Sequence, residues 1–397
     1  MSTVSAVGTT FNLPNYHGQL FVVTPTETPF LSAIGGLGGA KMTTATTYEW
    51  QTQDRRTSTA NNVALEGQAA PAGSERSRTN VDNIVEIHQS AIEISYSRLG
   101  AVGNFAGANI ASQADDAVLD ELQNQTMAEL ESMAVDIEQS FLNGIYNKPT
   151  DNTTARQTRG ILSAIQTNRI TQASVGSGTI VASTGVITSA SAHGLVVGSP
   201  VYLGGIATTT GITNGVRYYA LTVPSSTTFT LSATPGGAAL TLTNNGTCTS
   251  ITPAVIVSKA QIDNALQTAF GNGAKLPSPT TVLMMNQVQK VKLSNAYALP
   301  ALSWPTADRT VGGVAMQTLV TDFGTFGVMI DRWMPVDQIA IIDLSVCSPV
   351  FLNIPSKGLL FVEELAQTGA TRKFQLYGEV GLEYGPETYH GLITELA

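Results

Sequence analysis

Between residues 175 and 252 the chain carries one charged side chain, Arg217, and no lysine, aspartate or glutamate. On both sides the composition returns abruptly to a mixed one. Such a boundary constrains the fold more than any other feature. It describes a compact module, with its own core, inserted into a host domain. Short alternating runs recur inside it: GTIVAS from Gly178, GVITSA from Gly185, PVYLGG from Pro200, RYYALTV from Arg217, TFTLSA from Thr228 and LTLT from Leu240. Turn residues separate them. The pattern predicts a small all-β barrel or sandwich of five to seven strands.

The host chain is read in pieces. Residues 1–45 hold Pro14, Pro25, Pro29 and a glycine patch from Gly35 to Gly39, with no sustained period. They predict an extended arm with one short helical piece near Phe30 to Ile34. Residues 46–98 predict a long β-hairpin. TYEWQT from Thr47 alternates and is rich in β formers, and Ile84, Val85, Ile87, Ile92, Ile94 and Tyr96 mark the return. The polar stretch between them cannot bury itself, so the hairpin needs a neighbouring molecule.

Residues 112–144 give the clearest helix. Ser112 is a possible cap, Asp115 and Asp116 fall in the first turn, and Gly144 is a stop. Val118, Leu119, Leu122, Leu130, Met133, Ile137 and Phe141 recur at helical spacing. Such a rod is roughly 45 Å long. Its charges, among them Glu129, Glu131, Asp136 and Glu138, are all acidic and read as a solvated face. Beyond residue 252, Ser258 caps a helix of about three turns ending near Gly271 or Gly273, and TVLMM from Thr281 reads as a buried strand. A second helix from Gln287, a hairpin turning at Gly324, a buried strand from Gln338 and two closing strands about Gly385-Pro386-Glu387 follow.

Charged residues make up 12% of the 397, about half the usual share. Much of the surface is therefore expected to face other copies rather than water. The net charge of −9 argues against a chain whose main task is electrostatic grip on nucleic acid. Cys248 and Cys347 are too few and too far apart for a disulfide framework or a cysteine metal motif. The N-terminal MSTVSAVGTTFNLPNYHGQLF lacks a basic region followed by an apolar core, so no secretory leader is expected there. No apolar run reaches membrane-spanning length, and no membrane partner is expected.

The one stretch that invites a catalytic reading is KFQLYGEVGLEYGPETYHGLITELA, from Lys373 to Ala397, where Glu379, Glu383, Glu387 and His390 lie close together. Strand alternation puts Glu379 and Glu383 on one face and Leu376, Val380, Leu382 and Tyr384 on the other. This is the pattern of a half-buried strand with a wet acidic side, with Glu387 and His390 pairing locally beyond the turn. The four histidines, His17, His88, His193 and His390, lie in four separate segments. No phosphate-binding loop, zinc-binding His-Glu-x-x-His or Gly-x-Ser-x-Gly elbow occurs. Neither catalytic nor cofactor or metal residues are assigned, and no enzyme activity is expected.

The order of the parts resembles tailed-phage major capsid proteins with the Hong Kong 97 fold, most closely the SU10-like group. The likeness is carried by TPTETPFLSAIGG from Thr24, YEW at Tyr48, RGILSAIQTN from Arg159, VLMMNQVQK from Val282, VTDFGTFGVMIDRWMP from Val320 and YGEVGLEYGPETYHG from Tyr377. It implies an α+β fold with an N-terminal arm (1–45), an extended loop (46–98) and a peripheral domain (99–158) holding the spine helix 112–144. It further implies an axial domain with adjoining peripheral strands (159–174 and 253–369) and C-terminal peripheral strands (370–397). The inserted module (175–252) resembles the FCCH-type repeat of phage structural proteins, through AHGLVVGSPVYL from Ala192 and GVRYYALTVPSSTTFTLS from Gly215.

The resemblance implies a virion protein, assembled in the host cytoplasm. It would form hexamers and pentamers around double-stranded DNA contacted non-specifically, with a portal, a separate scaffolding protein and a possible decoration protein as partners. Candidate inter-subunit contacts are Arg55, Arg56, Arg76, Arg78, Trp50, Glu129, Glu131 and Asp136. The arginines are expected to meet acidic partners such as the spine helix. Some capsids of this fold cross-link a loop lysine to an asparagine, but residues 54–98 contain no lysine, so no such bond is expected. The alternatives are an encapsulin-like nanocompartment shell and a tail or fibre adhesin whose binding part is the β module.

Overall fold

The computed structural model describes residues 26–38, 41–53, 62–70, 72–73, 75–97, 121–298, 309–311, 314–367 and 369–397. Two compact units share the chain. Of the described residues the smaller takes those within 26–27, 87–137 and 353–379, and the larger those within 28–86, 138–352 and 380–397.

In the smaller unit, Leu360–Leu365 runs antiparallel to the first part of Thr371–Glu383, in the register Leu360↔Gly378 to Leu365↔Lys373. The strand Glu86–Ser95 pairs with the same long strand. Ile92 and Ile94 point inward while Glu93 points out, as period-two alternation requires. Ion pairs decorate the outside, Glu93 with Lys373 at 3.1 Å and Glu364 with Arg372 at 3.0 Å. Their exposure to water and salt makes each worth little to stability. The helix Glu121–Asn143 belongs to this unit through Ile137 and to the larger one from Glu138.

The larger unit is built on a seven-stranded sheet. Its order is Arg309–Val311, Val314–Thr321, Gly324–Ile330, Thr281–Met285, Ile339–Asp343, Gly391–Ile393 and Arg169–Ile170. Thr281–Met285 and Ile339–Asp343 are buried along their whole length, which is why both read as unbroken apolar runs. Ile262 and Leu266 of the helix Lys259–Gly271 and Leu293 of Gln287–Ala298 pack with Leu283, Met285, Phe326, Ile341 and Ile393 into one core. Ser258 caps the first helix with a reciprocal box: its Oγ accepts from Gln261 N, and Ser258 N donates to Gln261 Oε1. The hairpin expected at Gly324 forms, with Thr321 paired to Gly324 across Asp322 and Phe323.

Residues 178–253 form a sheet of their own, antiparallel throughout, in which Gly246–Cys248 pairs with Gly178–Val181 at one end and Ser250–Pro253 pairs with Pro200–Gly204 at the other. Those two edges are consecutive pieces of one stretch of chain, so the sheet closes on itself and hides its edges. Ile180, Ile187, Val201, Leu203, Ala220, Phe229, Leu231 and Ile251 fill it. Cys248 is buried inside, as Cys347 is in the body.

Several expectations shift. The hairpin is shorter than residues 46–98. Thr47–Gln53 pairs with Arg78–Ile84, and the return strand breaks at Val85 before Glu86–Ser95 joins the other sheet. The closing strands, Thr371–Glu383 and Gly391–Ile393, do not pair with each other but lie in different sheets. The arm's helical piece is Pro29–Ala33. The expected start of the long helix at Ser112 and residues 1–25 of the arm lie outside the described residues.

Candidate assembly surfaces

The hairpin is anchored at its base, and its described outer residues are exposed. At the base, Trp50 Nε1 donates to Gly385 O at 3.0 Å and the indole meets Tyr384 edge-on, with centroids 4.9 Å apart. Asn83, fully buried, donates through Nδ2 to Leu382 O (2.7 Å) and Arg159 O (3.2 Å), and its Oδ1 accepts from Arg159 N at 2.9 Å. Tyr48 fits because residue 381 is glycine. A Cβ there would lie 2.5 Å from the Tyr48 hydroxyl and 2.9 Å from Ile84 O. Beyond the base, the two strands form a ladder joined to no other sheet among the described residues. Past them Val63 and Leu65 are 87% and 82% exposed.

Of the candidate contact residues, Arg76 and Arg78 are exposed at the outer end of the ladder, Arg78 donating across it to Gln51 Oε1 at 3.3 Å. Arg55 and Arg56 lie outside the described residues. Trp50 is engaged within its own chain, as above. On the long helix Glu131 and Asp136 are exposed, whereas Glu129 accepts a hydrogen bond from Ser90 Oγ at 2.6 Å. The acidic face is therefore not uniform. Glu138, which the pattern assigns to it, has no exposed surface and sits against Phe30 and Leu31.

The acidic C-terminal stretch is used up in architecture. Glu379, expected on a wet face, is only 7% exposed and accepts from the Tyr377 hydroxyl at 2.9 Å. Alternation placed it opposite the core side chains but could not say that this face is covered too. Glu383 pairs with Lys41 at 2.8 Å. Glu387 does not hydrogen-bond to His390. It accepts instead from Gln166 N (2.8 Å), Thr167 N (3.1 Å) and the Thr167 hydroxyl. Burial works to raise its carboxyl, but the Thr167 hydroxyl and the two amides outweigh it and hold the group below the usual range. His390 is fully buried, with Nε2 on Tyr384 O at 2.7 Å and Nδ1 accepting from Asp343 N at 3.3 Å. Both ring nitrogens are spent on backbone, and burial depresses its protonation. Among the described residues no three His, Cys, Asp or Glu side chains converge as a metal site would require.

A two-stranded hairpin, a long helix and mixed sheets, in this chain order, are the elements of a shell-forming capsid fold. Solved capsids share it. The cyanophage A-1(L) capsid aligns with 100% of this chain and 99% of its own at 10% identity and a TM-score of 0.53. The capsid of a native GTA particle aligns over 100% and 99% at 13% identity and a TM-score of 0.50. No curated protein matches. The sequence profile of the SU10 major capsid protein matches residues 3–397. The chain belongs to the SU10 major capsid protein family, and is a major capsid protein of a tailed phage with the Hong Kong 97-like fold.

Proposed function

We propose that the chain assembles in the host cytoplasm into hexamers and pentamers of an icosahedral head that encloses double-stranded DNA. A separate scaffolding protein guides assembly, and a portal occupies one vertex. The observation that supports this reading most directly is the hairpin. A two-stranded ladder with an exposed apolar tip is at best marginal alone in water and gains its stability against another copy. Many interfaces of the order of 1,000 Å² then sum to a closed container. The acidic balance suits contents held by enclosure rather than by tight binding. We further read the closed β module as an FCCH-type insertion that projects from the shell, and the domains as those the family implies.

Imaging purified, concentrated full-length protein by negative stain, with light scattering beside it, tests the reading. Closed particles or capsomers are expected. A monodisperse monomer whose residues 62–70 resist proteolysis would overturn it.

A further inference from the structure

Two short lengths of chain join the inserted module to the body of the larger unit. Residues 171–173 lead in, between Ile170 of the body sheet and Ser174, whose Oγ donates to Ile251 O at 3.1 Å inside the module. Residues 255–256 lead out, between Ala254, whose N donates to Pro200 O at 3.0 Å, and Val257, buried in the body core. Module and body have separate cores, and among the described residues no strand of the module packs broadly against a helix or strand of the body. Val255 and Ile256 are 44% and 63% exposed, so packing does not hold the exit link. A hinge needs only a few such residues.

Both links are instead tied to one segment, residues 394–397. At the entry, Gln172 N donates to Glu395 Oε2 at 3.1 Å and Gln172 Nε2 to Thr394 O at 3.0 Å. Gln172 Oε1 accepts from Gln261 Nε2 of the helix Lys259–Gly271 at 2.7 Å. At the exit, Ala397 N donates to Val255 O at 2.9 Å. The segment is itself fixed to the body. Leu396 is fully buried in the body core and its N donates to Asp337 O at 3.0 Å, while Gln289 Nε2 donates to Ala397 O at 2.8 Å. Asp337 also reaches the module directly, since its Oδ2 accepts from the Tyr202 hydroxyl at 2.7 Å. Glu395 has a φ of 61°, a left-handed conformation uncommon for a residue with a side chain, and such a conformation persists where its surroundings hold it.

We propose that residues 394–397, with the Tyr202–Asp337 bond, are a latch that seats the β module on the body in one orientation, and that the module swings about residues 171–173 and 255–256 when the latch is undone.

The module closes its own sheet and fills its own core, so the latch acts on orientation and not on the module's fold. This goes beyond the assembly reading, and the test needs no particle. Nitroxides at Ser226→Cys in the module and Gln267→Cys on the helix Lys259–Gly271, both exposed positions, read the distance between module and body. Cys248 and Cys347 are buried. Diluting labelled chain into unlabelled chain keeps the distance within one subunit. The otherwise wild-type full-length chain should give one narrow distribution. Removing residues 394–397 together with Tyr202→Phe cuts every tie to the segment and should widen the distribution about twofold or more. Gln172→Ala, Glu395→Gly and Tyr202→Phe combined leave Leu396 in place, and glycine adopts the left-handed backbone freely. This point variant should widen the distribution in the same direction, with hydrogen exchange in Thr228–Ser232 and Thr281–Met285 as in wild type. A point variant as narrow as wild type, or a wild type already broad, overturns the proposal whether or not the shortened chain folds. Lost protection in either strand of the point variant also overturns it, because the ties would then support a core and not a mount.

Discussion

His390 shows how a residue with a catalytic look becomes structural. Its ring is fully buried and joins two backbone groups, Tyr384 O and Asp343 N. Because burial holds the folded ring neutral, the unfolded chain binds the extra proton first. The sign follows from that. Stability from this group is complete above the ordinary histidine value of 6.5 and is lost as pH falls from there toward the depressed folded value. Denaturant midpoints measured between pH 4.5 and 8 should therefore fall on the acid side. His390→Ala should lower the midpoint at pH 8 by the equivalent of about 2–4 kcal/mol, through a cavity and two orphaned backbone groups. It should also flatten the slope just below pH 6.5. A variant that keeps the wild-type slope would show that another group is responsible. None of this was legible in the spacing of Glu379, Glu383, Glu387 and His390. Alternation gives the face a side chain takes, but the partners of Glu387 lie some 220 positions away.

At the scale of elements, the sequence carries the local rules well. Period and cap signals place the helix after Ser258, the buried run from Thr281 and the turn before Gly324, because each depends on neighbours within a few residues. Contacts set by distant chain are hidden. Gly144 reads as a helix stop, and the helix does end at Asn143. The reason is different from a left-handed cap, since the backbone of Gly144 packs against that of Gly160. A Cβ on Gly144 would meet Ser140 O and Thr158 O at 2.5 Å, and one on Gly160 would meet Gly144 N at 2.5 Å and Leu142 O at 2.7 Å. Gly160 N donates to Gly144 O at 2.9 Å across that gap. The crossing fixes where the chain leaves the long helix and enters Ile161–Ala164. Gly160→Ala should then destabilise the larger unit by about 1–3 kcal/mol through overpacking against rigid backbone. Thermal unfolding of the purified subunit checks this, and an unchanged melting temperature would mean the two segments can separate at little cost.

At the scale of the whole molecule, charge is expected to bear on how copies meet. Acids outnumber bases 29 to 20, yet Arg76 and Arg78 stand exposed at the outer end of the hairpin. On the long helix Glu131 and Asp136 face outward with no basic residue anywhere along its 23 described positions. The same segment also exposes Glu66 and Glu75, so it is the two guanidinium groups themselves, not a net positive end, that are expected to meet the acidic helix of another copy. One exposed pair is worth little, about 0.2–1 kcal/mol, and salt screens it over about 8–10 Å. Repetition over every copy of a shell changes the weight of so small a term, because particle stability sums over all contacts while subunit folding does not include them. Arg76→Ala with Arg78→Ala should therefore leave the subunit's own melting curve within about 0.5 kcal/mol of wild type. The same variant should make particles dissociate at lower denaturant, and should reduce the sensitivity of wild-type particles to added salt. Sedimentation of assembled particles across a salt series separates the two effects. Particles as stable as wild type at every salt concentration would place the contact elsewhere on the hairpin, with exposed Val63 and Leu65 as the next side chains to truncate.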